Sequence, residues 1–148
     1  MHKLFQTILI PLILMNSSAM ADTKASALGV ANAWVAAVNQ QDLDGIVGNF
    51  ATDASFFGTS TKTLISDAQG VRQYFAKVIQ AYAPVKVELG QVTVTELSAD
   101  SAVITGFDRW KVTVNGAPVE AIGRLSMAVA VRNGQWKIVS FHRSAMPN

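Results

Sequence analysis

Over residues 24–40, Leu28, Ala31, Val35 and Val38 recur at helical spacing with Trp34 beside them. The pattern predicts an amphipathic helix whose apolar face needs a partner. Asp42-Leu43-Asp44 then opens a shorter helix with Ile46, Val47 and Phe50 on its apolar side, weakened by Gly45 and Gly48. Residues 53–57 and 62–65 read as short strands around Gly58-Thr59-Ser60. Ser66, with Gln69 three residues later, forms a capping box. It starts a third helix with Val71, Phe75, Val78 and Tyr82 on one stripe, and Pro84 ends it.

Beyond Pro84 the helical repeat gives way to alternation. Val85, Val87 and Leu89 share one parity, whereas Val92 and Val94 continue on the other. The slip falls at Gly90-Gln91 and predicts a β-bulge that bends the strand. Residues 102–114 and 119–131 form long strands joined through Asn115-Gly116, a type I′ hairpin signal, and Asn133-Gly134 is a second. Helices followed by successive hairpins give an α+β domain, with the helices packed on one face of a bent antiparallel sheet.

The strand parities separate two faces. Ile104, Gly106, Trp110 and Val112 lie with Asp108; Leu125, Met127, Val129 and Val131 lie together; Val139 and Phe141 lie with Arg143. These are the most apolar sets and belong beneath the helices. Two charges on that face, Asp108 and Arg143, mark a candidate pocket, unless they serve only to pair with each other or sit at a wet rim. Tyr74, beside Phe75 on the third helix, either reaches this pocket with its hydroxyl or stays at the core edge. The opposite face carries Phe107, Arg109, Ile122, Arg124, Ser126, Trp136, Ile138 and His142. Phe107, Ile122, Trp136 and Ile138 would make a patch that a homodimer could bury.

The length of 148 residues suits one domain. The absence of cysteine excludes a disulfide framework, a thiol nucleophile, a thiolate metal site and a lipid-modified N-terminal cysteine. Residues 1–21 form a separate unit. Met1-His2-Lys3 precedes a largely apolar run over residues 4–15, and Ala19-Met20-Ala21 has the small-x-small form of a cleavage site. The expectation is a secretory signal peptide removed after Ala21, leaving residues 22–148 as a single periplasmic or secreted domain. The run is short for a membrane span and contains Pro11, so no stable anchor is expected after cleavage.

The net charge is +2, and the basic residues are spread without a Lys/Arg run, so nucleic-acid binding has no support. His142 is the one histidine beyond the leader; no metal and no cofactor are expected. No G-x-x-x-x-G-K-[ST], G-x-G-x-x-G, G-x-S-x-G or H-E-x-x-H pattern occurs.

Residues 134–147, GQWKIVSFHRSAMP, resemble the last strand of the calcium/calmodulin-dependent kinase II association (hub) domain, of the nuclear transport factor 2-like superfamily. Residues 34–57 (WVAAVNQQDLDGIVGNFATDASFF) resemble the superfamily's opening helices and Asp-x-x-Phe strand, and Gly70 to Phe75 (GVRQYF) its third helix. Ketosteroid isomerase, limonene epoxide hydrolase and the SnoaL-like polyketide cyclases share the superfamily. The resemblance implies a cone-shaped fold and a pocket closed by helices and curved sheet. It also implies that Arg143 matches a hub-domain arginine lining a pocket for small carboxylates. Asp108 and Met127 stand where that domain has further arginines.

Three functions follow. The first is a secreted binder of a small organic ligand such as a carboxylate, dimeric or larger. Arg143 would donate, Asp108 accept, Tyr74 contribute its hydroxyl, and Trp110, Met127 and Phe141 wall the pocket. The second is an isomerase-, cyclase- or hydrolase-like enzyme using Asp108 as acid/base, with Asp53 a weaker candidate acid. The third is a pure oligomerisation module.

Overall fold

The computed structural model describes residues 15–147, with side chains from residue 22 onward. The expected leader falls on residues 1–21, of which 1–14 lie outside the described residues. Among the described residues no helix is long and apolar enough to cross a membrane.

Helix α1 (Met15–Gln40) buries Ala27, Val30, Ala31, Trp34, Ala37 and Val38. Its stripe centres on Trp34, with Leu28 and Val35 only half-buried at the edge. Helix α2 (Leu43–Gly48) starts at Asp42, whose carboxylate accepts the Gly45 N–H at 3.0 Å. It ends before Phe50, which opens strand β1 (Phe50–Phe57) rather than extending the helix. The expected strand over residues 62–65 reduces to one bridge, Phe56 to Ile65. Helix α3 (Ala68–Tyr82) is capped by Asp67, not Ser66; the Asp67 carboxylate accepts the Gly70 N–H at 2.7 Å.

Strands β2 (Lys86–Ser98), β3 (Ser101–Val114), β4 (Ala117–Arg132) and β5 (Gln135–Ala145) form the expected antiparallel meander, and the sheet order is β1-β5-β4-β3-β2. Both Asn-Gly turns have positive φ at both residues, as a type I′ turn requires. The sheet is mixed: β1 runs parallel to β5 at its edge. An alternating pattern fixes which side chains face in, but not which neighbour a strand adopts.

Two bulges bend the sheet. One is the expected slip at Gly90-Gln91, where the β2–β3 register shifts between Leu89 and Val92. Gly106 opposite is required there, since a Cβ would lie 2.1 Å from the Gln91 carbonyl oxygen. The other lies in β5, where the pairing steps from Ala128–Ser140 to Val129–Ile138. The extra residue, Val139, reverses the parity of the strand before it. Ile138 is therefore fully buried and Trp136 packs against the core, which corrects their expected place in the open-face patch.

Helix α1 packs across β2 to β5 and α3 against β1 and β3, so all helices cover one face. The core between them is aromatic. Trp34 meets Phe141, Phe75 and Trp110 at ring centroid distances of 5.2, 6.2 and 6.3 Å.

Candidate functional site

The site is built around a charge pair that spans three strands. Asp108 on β3 lies opposite Gly123 on β4, and Arg143 on β5 lies opposite Leu125. All point toward the helices, so Arg143 must cross β4 to reach Asp108. Gly123 leaves the passage open: a Cβ there would sit 2.4 Å from Arg143 Nη2. Arg143 Nε donates to both Asp108 oxygens, at 2.9 and 2.8 Å. Trp110 Nε1 donates to Asp108 Oδ2 at 2.9 Å. The Asp108 side chain is wholly buried and that of Arg143 only 10% exposed. Burial costs such a pair least when its remaining hydrogen-bonding groups are also satisfied.

The rest of the guanidinium faces other groups. Nη1 donates to Thr59 Oγ1 at 2.7 Å, and the guanidinium carbon lies 5.1 Å from the Trp110 ring centroid. Among the described residues Nη2 is buried and has no hydrogen-bond acceptor. Leaving a charged donor buried and unpaired is costly, so this atom is where an acceptor from outside the chain would gain most.

Beside Arg143 lies a cavity of about 250 Å³. Tyr74, Val78 and Tyr82 of α3, Trp110 and Val112 of β3 and Ala121 of β4 form its walls, and Thr59, Ser60 and Arg143 are its polar members. Tyr74 packs edge-on to Phe56 at 4.9 Å. It lies so close to Gly58 that a Cβ there would fall 2.2 Å from the ring. Burial pushes the Tyr74 phenol above its ordinary value, while the Ser60 hydroxyl, the Arg143 charge and the Ser60 and Thr59 backbone amides pull it back down. Tyr74 therefore stays a neutral hydroxyl through the physiological range.

Of the residues expected at the site, Arg143, Tyr74 and Trp110 meet at this cavity. Asp108 stands behind Arg143 and does not line it. Met127 and Phe141, expected as walls, lie in the core, where Phe141 stacks on Phe56 at 4.9 Å. The core helices cover them completely, whereas the cavity opens further along the same face. Asp53 is exposed on β1 and also lies off the cavity. Thr59, Ser60 and Gly123 were not anticipated. A glycine inside a strand pattern signals close approach by another group, and Gly123 and Gly106 both carry that signal. Thr59 and Ser60 sit in a loop with no periodicity to place them. Among the described residues no group of three or more His, Cys, Asp or Glu could hold a metal.

The open face of the sheet is also hollowed, with a concavity of about 440 Å³ that includes Phe107, Arg124 and His142. Phe57, Phe107 and Ile122 are exposed on or beside it, and Phe57 meets His142 edge-on at 6.1 Å.

Comparisons with known proteins agree with this architecture. A protein of Xanthomonas campestris, provisionally described as a calcium/calmodulin-dependent protein kinase II association domain, superposes with a TM-score of 0.75 at 25% identity, covering 84% of this chain and 87% of that one. A ketosteroid isomerase-like protein of Erwinia carotovora superposes at 0.71 with 16% identity, over 84% of this chain and 96% of that one. A provisional scytalone dehydratase of Novosphingobium aromaticivorans reaches 0.77 at 8% identity, over 88% and 89%. At such identities the last two show the fold alone. No curated protein matches the chain. The family model for the SnoaL-like domain matches residues 28–148, and the chain belongs to that family, within the nuclear transport factor 2-like fold.

Proposed function

We propose that this is an exported protein that binds a small organic molecule in the Arg143 cavity, and that it does so as a homodimer or larger assembly. The observation that carries the reading is Arg143 Nη2, a buried donor without an acceptor on a residue that lines a mostly apolar, aromatic cavity. A few oriented polar groups in an apolar recess are the usual form of a small-molecule site. Tyr74 and Ser60 add hydroxyls, and a carboxylate or carbonyl oxygen is the acceptor that suits them. Export rests on the leader pattern of residues 1–21. Assembly rests on the exposed Phe57, Phe107 and Ile122 of the open sheet face.

The enzyme reading is the weaker one. Among the described residues no Asp or Glu lines the cavity, and both oxygens of Asp108 already accept hydrogen bonds from Arg143 or Trp110. A base must be within reach of the proton that it takes.

Thermal melting with a panel of small aromatic acids and ketones tests the binding reading. At least one compound is expected to raise the melting temperature of the native protein. In Arg143→Lys, which keeps a charge beside Asp108 but lacks the forked donors, that rise is expected to vanish. An equal rise in both proteins, or none in the native one, would count against the reading.

A further inference from the structure

A groove of about 410 Å³ runs along the outer side of α3 and shares Ser60, Tyr74, Val78 and Tyr82 with the Arg143 cavity. The cavity alone is smaller than the roughly 300–1,000 Å³ usual for organic-ligand sites, and the groove extends it into that range. The charge balance differs sharply between the two. Inside, Arg143 is neutralised by the buried Asp108. In the groove, Lys62 and Lys77 are exposed, no Asp or Glu lines it, and neither lysine has an ion-pair partner among the described residues. Asp67, which caps α3 through the Gly70 N–H, does not line the groove.

From this asymmetry we infer that the ligand is an elongated aromatic molecule bound with its anionic group outward. A neutral oxygen at the inner end accepts from Arg143, the ring lies among Tyr74, Tyr82 and Trp110, and a carboxylate or phosphate at the outer end meets Lys62 and Lys77. The inference rests on the binding reading above and adds the ligand's class and direction. A net charge is best matched where the protein's charge is uncompensated, and an exposed pair gains a modest, salt-sensitive amount.

Calorimetric titration with four probes tests it: 3-(4-acetylphenyl)propionate, its primary amide, its phosphonate analogue, and 4-ethylbenzoate, which carries its charge at the other end of the ring. The propionate or the phosphonate is expected to bind about fivefold more tightly than the amide, with the advantage shrinking at high salt. Which of the two gains identifies the outer group. In the Lys62→Gln, Lys77→Gln double variant the charged probe should bind like the amide, whereas Arg143→Lys should weaken charged probe and amide alike. Equal binding of propionate, phosphonate and amide to the native protein would overturn the orientation. So would an advantage that persists in the lysine variant, or tighter binding of 4-ethylbenzoate that ignores the lysines. If none of the probes binds the native protein, the cavity reading itself fails, and this inference fails with it.

Discussion

Arg143→Met is expected to remove about 3–5 kcal/mol of folding stability, because it leaves the wholly buried Asp108 carboxylate without its cation. Trp110 alone would remain as a donor to it. The pair as a whole is not expected to be worth that much. Two buried charges offset their own desolvation, and similar-sized apolar replacements for both are often neutral or stabilising. The double variant Arg143→Met, Asp108→Leu should therefore recover most of the loss. Urea unfolding of the two variants checks this. A double variant as unstable as the single one would show that the pair does more than neutralise itself.

Trp34→Ala is expected to cost a similar amount, about 3–5 kcal/mol, the usual range for removing a large buried aromatic side chain. Trp34 is fully buried and its ring contacts three others, on α3, β3 and β5. One of them is Trp110, which both lines the cavity and holds Asp108. The loss should therefore reach the site, with ligand-induced stabilisation falling even at temperatures where the variant is folded. Trp34→Phe should cost much less than the alanine change, since it retains most of the apolar volume and removes an indole N–H that has no acceptor. Denaturant midpoints for the two variants make the comparison. Equal losses would contradict the weight given to the apolar volume that phenylalanine retains.

Much of this architecture is legible locally. Asn115-Gly116 and Asn133-Gly134 announce their turns because few other residue pairs accept two positive φ values in succession. The parity slip at Gly90-Gln91 marks a bulge because glycine stands there and alternation resumes out of phase. The same reasoning puts Asp108, Trp110 and Arg143 on one face, where the structure joins them by hydrogen bonds. It fails in β5, where Val139 makes a bulge with no glycine or proline to mark it, and Ile138 and Trp136 change faces. It also fails for β1, whose parallel partner lies more than 80 residues away in the chain, and a local pattern carries no trace of that pairing. The cavity's polar rim escapes for a related reason. Thr59 reaches Arg143 through a loop whose path tertiary packing sets, with 84 residues between them. Met127 and Phe141 show the converse error, since a shared sheet face does not say which part of it the helices cover.

Native mass spectrometry of the protein, purified gently from its own compartment, reads ligand binding and assembly together. The expected result is an assembly of at least two copies of a chain that begins at Asp22. Each copy should carry a small organic acid that dissociates on activation and is missing from Arg143→Lys. An empty monomer would contradict it, as would a bound molecule retained equally by the Arg143→Lys protein.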